Sequence, residues 1–379
     1  MNGHTVRRGK GRWALVLESK DEQGRRKQRW RSFKGNKDQA DQELRRLLVA
    51  ADEGRAIEPA KMTVNQLVTH WMEAYASTNV RARTKAGYEG VARRYIAPNI
   101  GAVPIAKLTP AHVQGLYSKL LLQGLSARTV LSAHRLLREV LHQAVRWELL
   151  VRNVCDQVDP PRPQHKDMRT LDTDQAIDFL SRVQDKPLGH MFALALHTGM
   201  RRSELCGVRW KDVDLDAGFL SVTQALIRIP HGGLQFFEPK TKRSRRRIAL
   251  APGIVAALRR HRANQAAQRL RLGSAWKDHG VVFARPDGRP LDPDEVSHAF
   301  KKIMHEMDTG SVRLHDLRHS FASLALANGE HPKVVSDILG HATISITLDL
   351  YSHVLPGMQE QTALRLEQRL TRKPAVANG

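Results

Sequence analysis

Between Asp156 and Pro163 the chain reads Asp-Gln-Val-Asp-Pro-Pro-Arg-Pro, three prolines in eight residues with no apolar period. Proline fixes φ and lacks a backbone donor, so neither a helix interior nor a central strand passes through such a stretch. It reads as a linker. Apolar residues recur at regular spacing on both sides of it, and 379 residues are too many for a single core, so two or three domains are expected.

Upstream of the linker, residues 62–155 read as helical. Val64, Leu67, Val68 and Trp71 recur at helix spacing, and a second segment runs from Arg83 to Ile96. Thr109-Pro110 marks an N-cap followed by proline at the first helical position, opening a third helix that runs to Gln123. Ser126 opens a fourth, whose apolar face is Val130, Leu136, Leu137, Val140, Leu141 and Val145. Residues 1–58 form a smaller module: alternation in Trp13–Leu17 and Gln28–Phe33 predicts two strands around a turn at Asp21–Gly24, then a helix from Lys37 to Ala51.

Charge narrows the partners. Lys plus Arg exceed Asp plus Glu by 61 − 38 = 23, and the first 37 residues hold twelve of those cations against three acids. Such a surplus calls for a polyanion, bound with strong salt dependence; composition alone leaves a ribosome-associated protein and a DNA enzyme both open. Arg7, Arg8, Arg12, Arg29 and Arg31 in the first module, and Arg83, Lys85, Arg93, Arg128 and Arg135 in the helical region, are candidate DNA contacts, mostly to phosphate. The two cysteines, Cys155 and Cys206, make no disulfide framework and have no metal-ligand spacing. The opening residues lack a secretory core and no apolar run is long enough to span a bilayer, so a cytosolic protein with access to DNA and no membrane partner is expected.

Chemistry concentrates in residues 312–353. His315 and Arg318 lie three apart in a segment where Leu317, Phe321 and Leu324 predict one buried helical stripe, so the His and the Arg share another face and can converge on one small anion. His341 ends a short helical run after Gly340, and Tyr351 follows ten residues later. These residue types fit attack of a tyrosine oxygen on a phosphodiester. Arginine forks grip two non-bridging oxygens, histidine moves protons near neutrality, and a phenol surrounded by cations becomes a nucleophile. Rival constellations fail. Asp212, Asp214 and Asp216 imitate a calcium loop but have Ala217 where glycine is required, and His315 and His319, spaced as in zinc proteases, enclose Asp316 and Arg318. No phosphate-cradling glycine loop occurs, so neither metal nor nucleotide cofactor is expected.

His-Asp-Leu-Arg-His-Ser at 315–320, Leu-Gly-His at 339–341 and Leu-Tyr-Ser-His at 350–353, in that order and spacing, resemble the C-terminal boxes of the tyrosine recombinase (phage integrase) family. The resemblance implies an upstream arginine box, and Thr198-Gly199-Met200-Arg201-Arg202-Ser203-Glu204 supplies it. On the family pattern Arg201 takes the phosphate, Glu204 supports its guanidinium, and Arg202 is a surface or DNA-backbone charge. The family's hairpin lysine falls on Lys240, with Lys242 as rival, in the second hairpin of a three-stranded sheet expected over 218–250. The catalytic set implied is Arg201, Lys240, His315, Arg318, His341 and Tyr351.

The fold class so implied is multidomain and mainly α with small β-sheets. It comprises an arm-type DNA-binding module (1–58), a helical core-binding domain (62–155), the linker (156–169), a mixed α/β catalytic domain (170–363) and a tail (364–379). The implied activity is site-specific recombination through a 3′-phosphotyrosine, integrating or excising a phage or mobile element. Implied partners are duplex attachment sites, three further protomers in a tetramer, a host DNA-bending protein and a directionality factor, in the nucleoid of a bacterial cytoplasm. A chromosome-dimer resolvase, a type IB topoisomerase and a non-catalytic DNA-binding protein of the same fold are the alternatives. The basic module at 1–58 favours an integrase.

Overall fold

A computed structural model of the chain describes residues 2–20, 26–52, 62–164, 169–230, 232–238, 245–307 and 312–351, with isolated positions at 363, 364, 367 and 370. It divides into two compact units, Met1–His165 and Lys166–Gly379. Both are mainly helical with small antiparallel sheets.

The first unit opens with strands β1 (Asn2–Gly9), β2 (Arg12–Lys20) and β3 (Arg26–Lys34), paired in that order, and helix α1 (Lys37–Asp52). Alternation on β2 sends Leu15 and Leu17 to one face, where they bury against Ala40, Leu44 and Leu47 of α1. The sequence predicts two strands and the module has three. β1 was missed because its residues, Asn-Gly-His-Thr-Val-Arg-Arg-Gly, hold one large apolar side chain and so no alternation; its place comes from pairing with β2, Thr5 opposite Leu15 and Arg7 opposite Trp13. The turn expected at Asp21–Gly24 lies outside the described residues.

The helical part of this unit has its own core. Helix α2 (Val64–Trp71) starts at a capping box between Thr63 and Gln66 and continues through a π turn, Met72–Ala76, into α3 (Ser77–Asn79). In the same way α4 (Ala82–Val91) runs through Ala92–Ile96 into α5 (Ala97–Ile100). Helices α6 (Pro110–Leu122) and α7 (Ala127–Arg146) start behind Thr109 and Ser126, both of which cap with their side chains. Val130, Leu136, Leu137, Val140 and Leu141 of α7 bury against Trp71, Ile96, Leu116 and Tyr117, each large side chain contributing about 1.5–3 kcal/mol. One polar pair sits inside, the Tyr117 hydroxyl 2.5 Å from His134 Nδ1. Asp156 and Val158, the first residues of the proline-rich stretch, are tied to this core: Arg138 Nε donates to Asp156 Oδ1 at 2.8 Å, and Val158 packs against the cluster.

In the second unit α8 (Thr173–Val183) is capped by Asp172, whose carboxylate accepts from the Gln175 N–H while the Gln175 side chain accepts from the Asp172 N–H. Then follow α9 (Gly189–Thr198), α10 (Arg202–Gly207) and strands β4 (Val213–Asp214), β5 (Phe219–Val222), β6 (Ala225–Ile229), β7 (Gly233–Phe237) and β8 (Arg246–Ala249). The single sheet expected over 218–250 is instead two. β4-β5-β8 form one sheet and β6-β7 a separate hairpin. The reason is burial: β5 pairs with β8, Leu220 opposite Ile248, with both in the core, whereas β7 exposes Gln235 and Phe236.

Helices α11 (Pro252–Leu272), α12 (Pro293–His305), α13 (Asp316–Ala327), α14 (Pro332–Leu339) and α15 (Ile344–Tyr351) complete the unit. Phe179, Phe192 and Phe300 meet edge to face in its main core. The single stripe expected on α13 is also corrected. Leu317 and Leu324 join the main core, while Phe321, Ala322 and Leu326 join a smaller cluster with Val335, Leu339 and Leu350, so α13 is covered on two sides.

Candidate active site

Three helix ends in the second unit bring four of the sequence-predicted residues, Arg201, His315, Arg318 and His341, together. α9 terminates at Gly199, which takes the left-handed conformation (φ 59°) and donates its N–H to the Ala195 carbonyl. Two residues later Arg201, in extended backbone, caps α10. Its Nη1 donates to Glu204 Oε1 at 2.8 Å and its backbone N–H to Oε2 at 2.9 Å, while Nη2 reaches the Gly340 carbonyl at 3.4 Å. Glu204 therefore holds both the guanidinium and the backbone N–H of Arg201.

Glu204 has a second cationic partner. Arg246, at the start of β8, donates from Nη2 to Oε2 at 2.8 Å and from Nη1 to Oε1 at 3.1 Å, with its Nε bonded to the Ile338 carbonyl at 2.5 Å. Burial alone would raise the Glu204 carboxyl; the hydrogen bonds and charges of Arg246 and then Arg201 outweigh it and bring the pKa to about 2. The carboxylate is thus ionised throughout the working range and holds two forks.

The second helix end is the start of α13. His315 occupies its N-cap position and Arg318, buried, lies in its first turn, donating from Nη1 to the Gly199 carbonyl at 2.8 Å. Burial, then the charge of Arg318, lowers the His315 pKa. The His315 and His319 rings meet edge to face at 5.2 Å, and burial with the His315 charge takes His319 to about 4. The turn is fixed by Asp316, which accepts from the backbone N–H, Nε and Nη2 of Arg313.

The third is the end of α14. Gly340 is left-handed (φ 66°), its N–H bonds to the Asp337 carbonyl, and the His341 N–H reaches back to Ser336. This double closure, a Schellman motif, sets the direction of His341. Its Nδ1 is 2.8 Å from Thr347 Oγ1. Burial, then the charges of Arg318, Arg201, His319 and Arg246, brings His341 to about 4, so the same arginines bear on His341 and it is neutral at pH 7. Helix α15 then carries the backbone to Tyr351. The Tyr351 side chain, Lys240 and its rival Lys242 lie outside the described residues.

Arg202 is not a free surface charge: its Nη1 donates to the Pro293 carbonyl, Asp294 and Ser297 of α12. The sequence reading assigned no role to Arg246 or Thr347. For Arg246 a signal existed, because it is in register with Ile248 and Leu250 on the buried side of β8, while Arg247 on the other side lies over the Phe219 ring at 3.8 Å. For Thr347 there was none. Among the described residues no group of three or more His, Cys, Asp or Glu is placed to hold a metal ion.

The candidate DNA contacts sort by position in the first unit. Arg7, Arg8, Arg12 and Arg31 are exposed, but Arg31 lies 4.0 Å from Glu43 of α1, and the guanidinium of Arg8 sits over the exposed Trp30 ring at 5.0 Å. Of Arg29 only the backbone is described, in β3. Arg83, Arg93, Arg128 and Arg135 are exposed and Lys85 is half-buried; Arg128 and Arg135, seven apart on α7, share its outer face.

Solved structures share this architecture. The Tn1549 transposon integrase in complex with transposon right end DNA superposes with a TM-score of 0.69 at 24% identity, over 80% of this chain and 100% of that one. A lambda integrase tetramer bound to a Holliday junction gives 0.57 at 17%, over 90% and 92%. The fold is therefore that of the DNA integrases. More particularly, the chain belongs to the phage integrase family, whose model matches residues 167–357, just over half of the chain, with a model of the phage integrase N-terminal SAM-like domain matching 63–121. Among named relatives, a tyrosine recombinase XerC-like protein of Caldanaerobacter subterraneus subsp. tengcongensis is 28% identical over 80% of this chain and 82% of its own. The ICEBs1 integrase of Bacillus subtilis is 29% identical over 70% and 72%. No described helix is long and apolar enough to cross a membrane.

Proposed function

We propose that this chain is a site-specific DNA recombinase that integrates or excises a phage or mobile element. The observation that carries the reading is the convergence of Arg201, Arg318, His315 and His341 on one locus of the second unit, beside the helix that ends in Tyr351. Tyr351 attacks the scissile phosphorus, forming a 3′-phosphotyrosyl bond and breaking the bond to the 5′-oxygen, which leaves as a hydroxyl after taking a proton from Lys240. Arg201 and Arg318 hold the non-bridging oxygens and stabilise the charge that grows on them. His341 donates a hydrogen bond to the phosphate, and His315 shuttles the tyrosine proton.

The phosphodiester and the phosphotyrosine are of similar energy, so the exchange needs neither ATP nor a metal ion. Four strands are exchanged in a full reaction, so the working species is a tetramer on two duplex attachment sites, aided by a host DNA-bending protein and a directionality factor in the bacterial cytoplasm. The exposed arginines of α4, α7 and the turn Ala92–Ile96 contact the backbone near the crossover, and the basic strand module binds separate arm sites.

Trapping on a nicked duplex tests the reading. The wild-type chain is expected to give a covalent protein–DNA band and Tyr351→Phe none, with folding and DNA binding retained. An adduct persisting in the variant would mean another residue is the nucleophile.

A further inference from the structure

We propose that Thr347 is a positioning residue that couples His341 to the nucleophile's helix, so that His341 offers its Nε2–H to the scissile phosphate when that helix is seated. The proposal rests on the roles assigned above to Tyr351 and His341.

Its starting point is the burial pattern of α15. Thr347 is fully buried, whereas Ile344, Ile346 and Leu348 on the same helix are all exposed by more than a third. A helix that packs Leu350 but turns three other aliphatic residues outward and a hydroxyl fully inward is not arranged for packing alone, because a buried hydroxyl without a partner is costly. The partner is His341 Nδ1, at 2.8 Å. Thr347 also lies four residues before Tyr351, so the two positions share a face of α15, one turn apart.

The chemical consequence follows from the tautomer. A neutral imidazole has one N–H, and the Thr347 hydroxyl can either donate to Nδ1 or accept from it; a phosphate oxygen facing Nε2 only accepts, so it selects the ring with its proton on Nε2 and the hydroxyl as donor. With the Thr347 hydroxyl donating to Nδ1, the proton stays on Nε2, the only ring atom left to donate to a phosphate oxygen. In the other tautomer Nε2 would turn a lone pair on that oxygen. Because His341 is neutral at pH 7, the tautomer and not the net charge sets what it can donate. The Schellman closure fixes the backbone of His341, and the Thr347 contact, made from α15, fixes the ring. Unseating α15 would release both the nucleophile and the ring.

The test is single-turnover adduct formation on a nicked duplex by the full chain, comparing wild type, Thr347→Val, Thr347→Ser, His341→Ala and the double variant His341→Ala with Thr347→Val. Valine keeps the shape and removes the hydroxyl; it is expected to slow the adduct about tenfold, the effect of one lost hydrogen bond, with DNA affinity unchanged. Serine is expected to run near the wild-type rate. In the His341→Ala background valine should cause no further slowing, which a packing role of Thr347 would not produce. Wild-type speed in Thr347→Val, slowing by Ser equal to that by Val, or the same slowing with and without His341 would each overturn the proposal while Tyr351 chemistry stands. No adduct from the wild-type chain would overturn the reading of Tyr351 and this proposal with it.

Discussion

In the first unit the Tyr117 hydroxyl meets His134 Nδ1 inside a mainly apolar helical core; in the second, one carboxylate, Glu204, accepts from the guanidiniums of both Arg201 and Arg246. Burial drives the first pair toward neutrality: it raises the Tyr117 pKa, with Cys155 adding to the effect, and lowers that of His134, with Arg138 adding. The second cluster remains charged, because opposite charge at hydrogen-bond distance outweighs the burial of Glu204. The difference separates a polar pair that completes a core from a cluster that keeps its charge. Tyr117 and His134 satisfy each other. At Glu204 two cations share one anion, and Arg201, about a third exposed, faces outward with positive charge in hand.

This contrast can be broken most decisively at Glu204. Glu204→Ala is expected to destabilise the chain by about 3–5 kcal/mol, the cost of removing one partner from a buried ion pair, and to abolish adduct formation even where the protein remains folded. Denaturant unfolding and trapping at low temperature read the two effects, and a variant of near wild-type stability would show that Arg246 has other anchorage.

A smaller effect is expected in the first unit, where Tyr117→Phe strands the buried His134 ring. The loss should be about 1–3 kcal/mol, as for an unsatisfied buried polar group, with the adduct rate unchanged. A loss of cleavage in folded Tyr117→Phe would mean that the pair is part of the machinery and that the comparison fails.

Smallest is the pH response. His319 and His341 titrate near 4 in the folded chain, below the ordinary 6.5. Between those values the unfolded chain binds more protons, so stability is full above about 6.5 and falls as pH drops toward 4. Thermal midpoints measured across that window should decline toward acid, and less steeply in a His319→Gln, His341→Asn double variant. Equal slopes would place the acid sensitivity elsewhere, with His134 as the next candidate.

Much of the site was legible because its residues sit at helix ends, and helix ends are written locally. Gly199 and Gly340 stop their helices, and the residues just beyond each are Arg201 and His341. The face of α7 was likewise fixed by its Ser126 cap and a 3.6-residue period. What escaped depends on distant partners. β1 has no pattern of its own, β5 passes over its neighbour to pair with β8, and the depth of Arg246 depends on an acid 42 residues away. Thr347 was silent because a single threonine in an apolar helix carries no local sign of which way it faces.

The packing at Gly199 has a consequence for how such a chain changes over generations. A Cβ there would fall 2.6 Å from Leu339 and 2.7 Å from Phe321, while the carbonyl of the same residue accepts from Arg318. Leu339 leads directly into His341, Phe321 lies three residues past Arg318, and Arg201 follows Gly199 by two. The separations of Arg201, Arg318 and His341 are therefore measured from one close-packed junction. Substitutions over the exposed surface of this unit leave that junction in place, whereas a change at Arg246 of β8, bonded to the Ile338 carbonyl one residue before Leu339, would reach it.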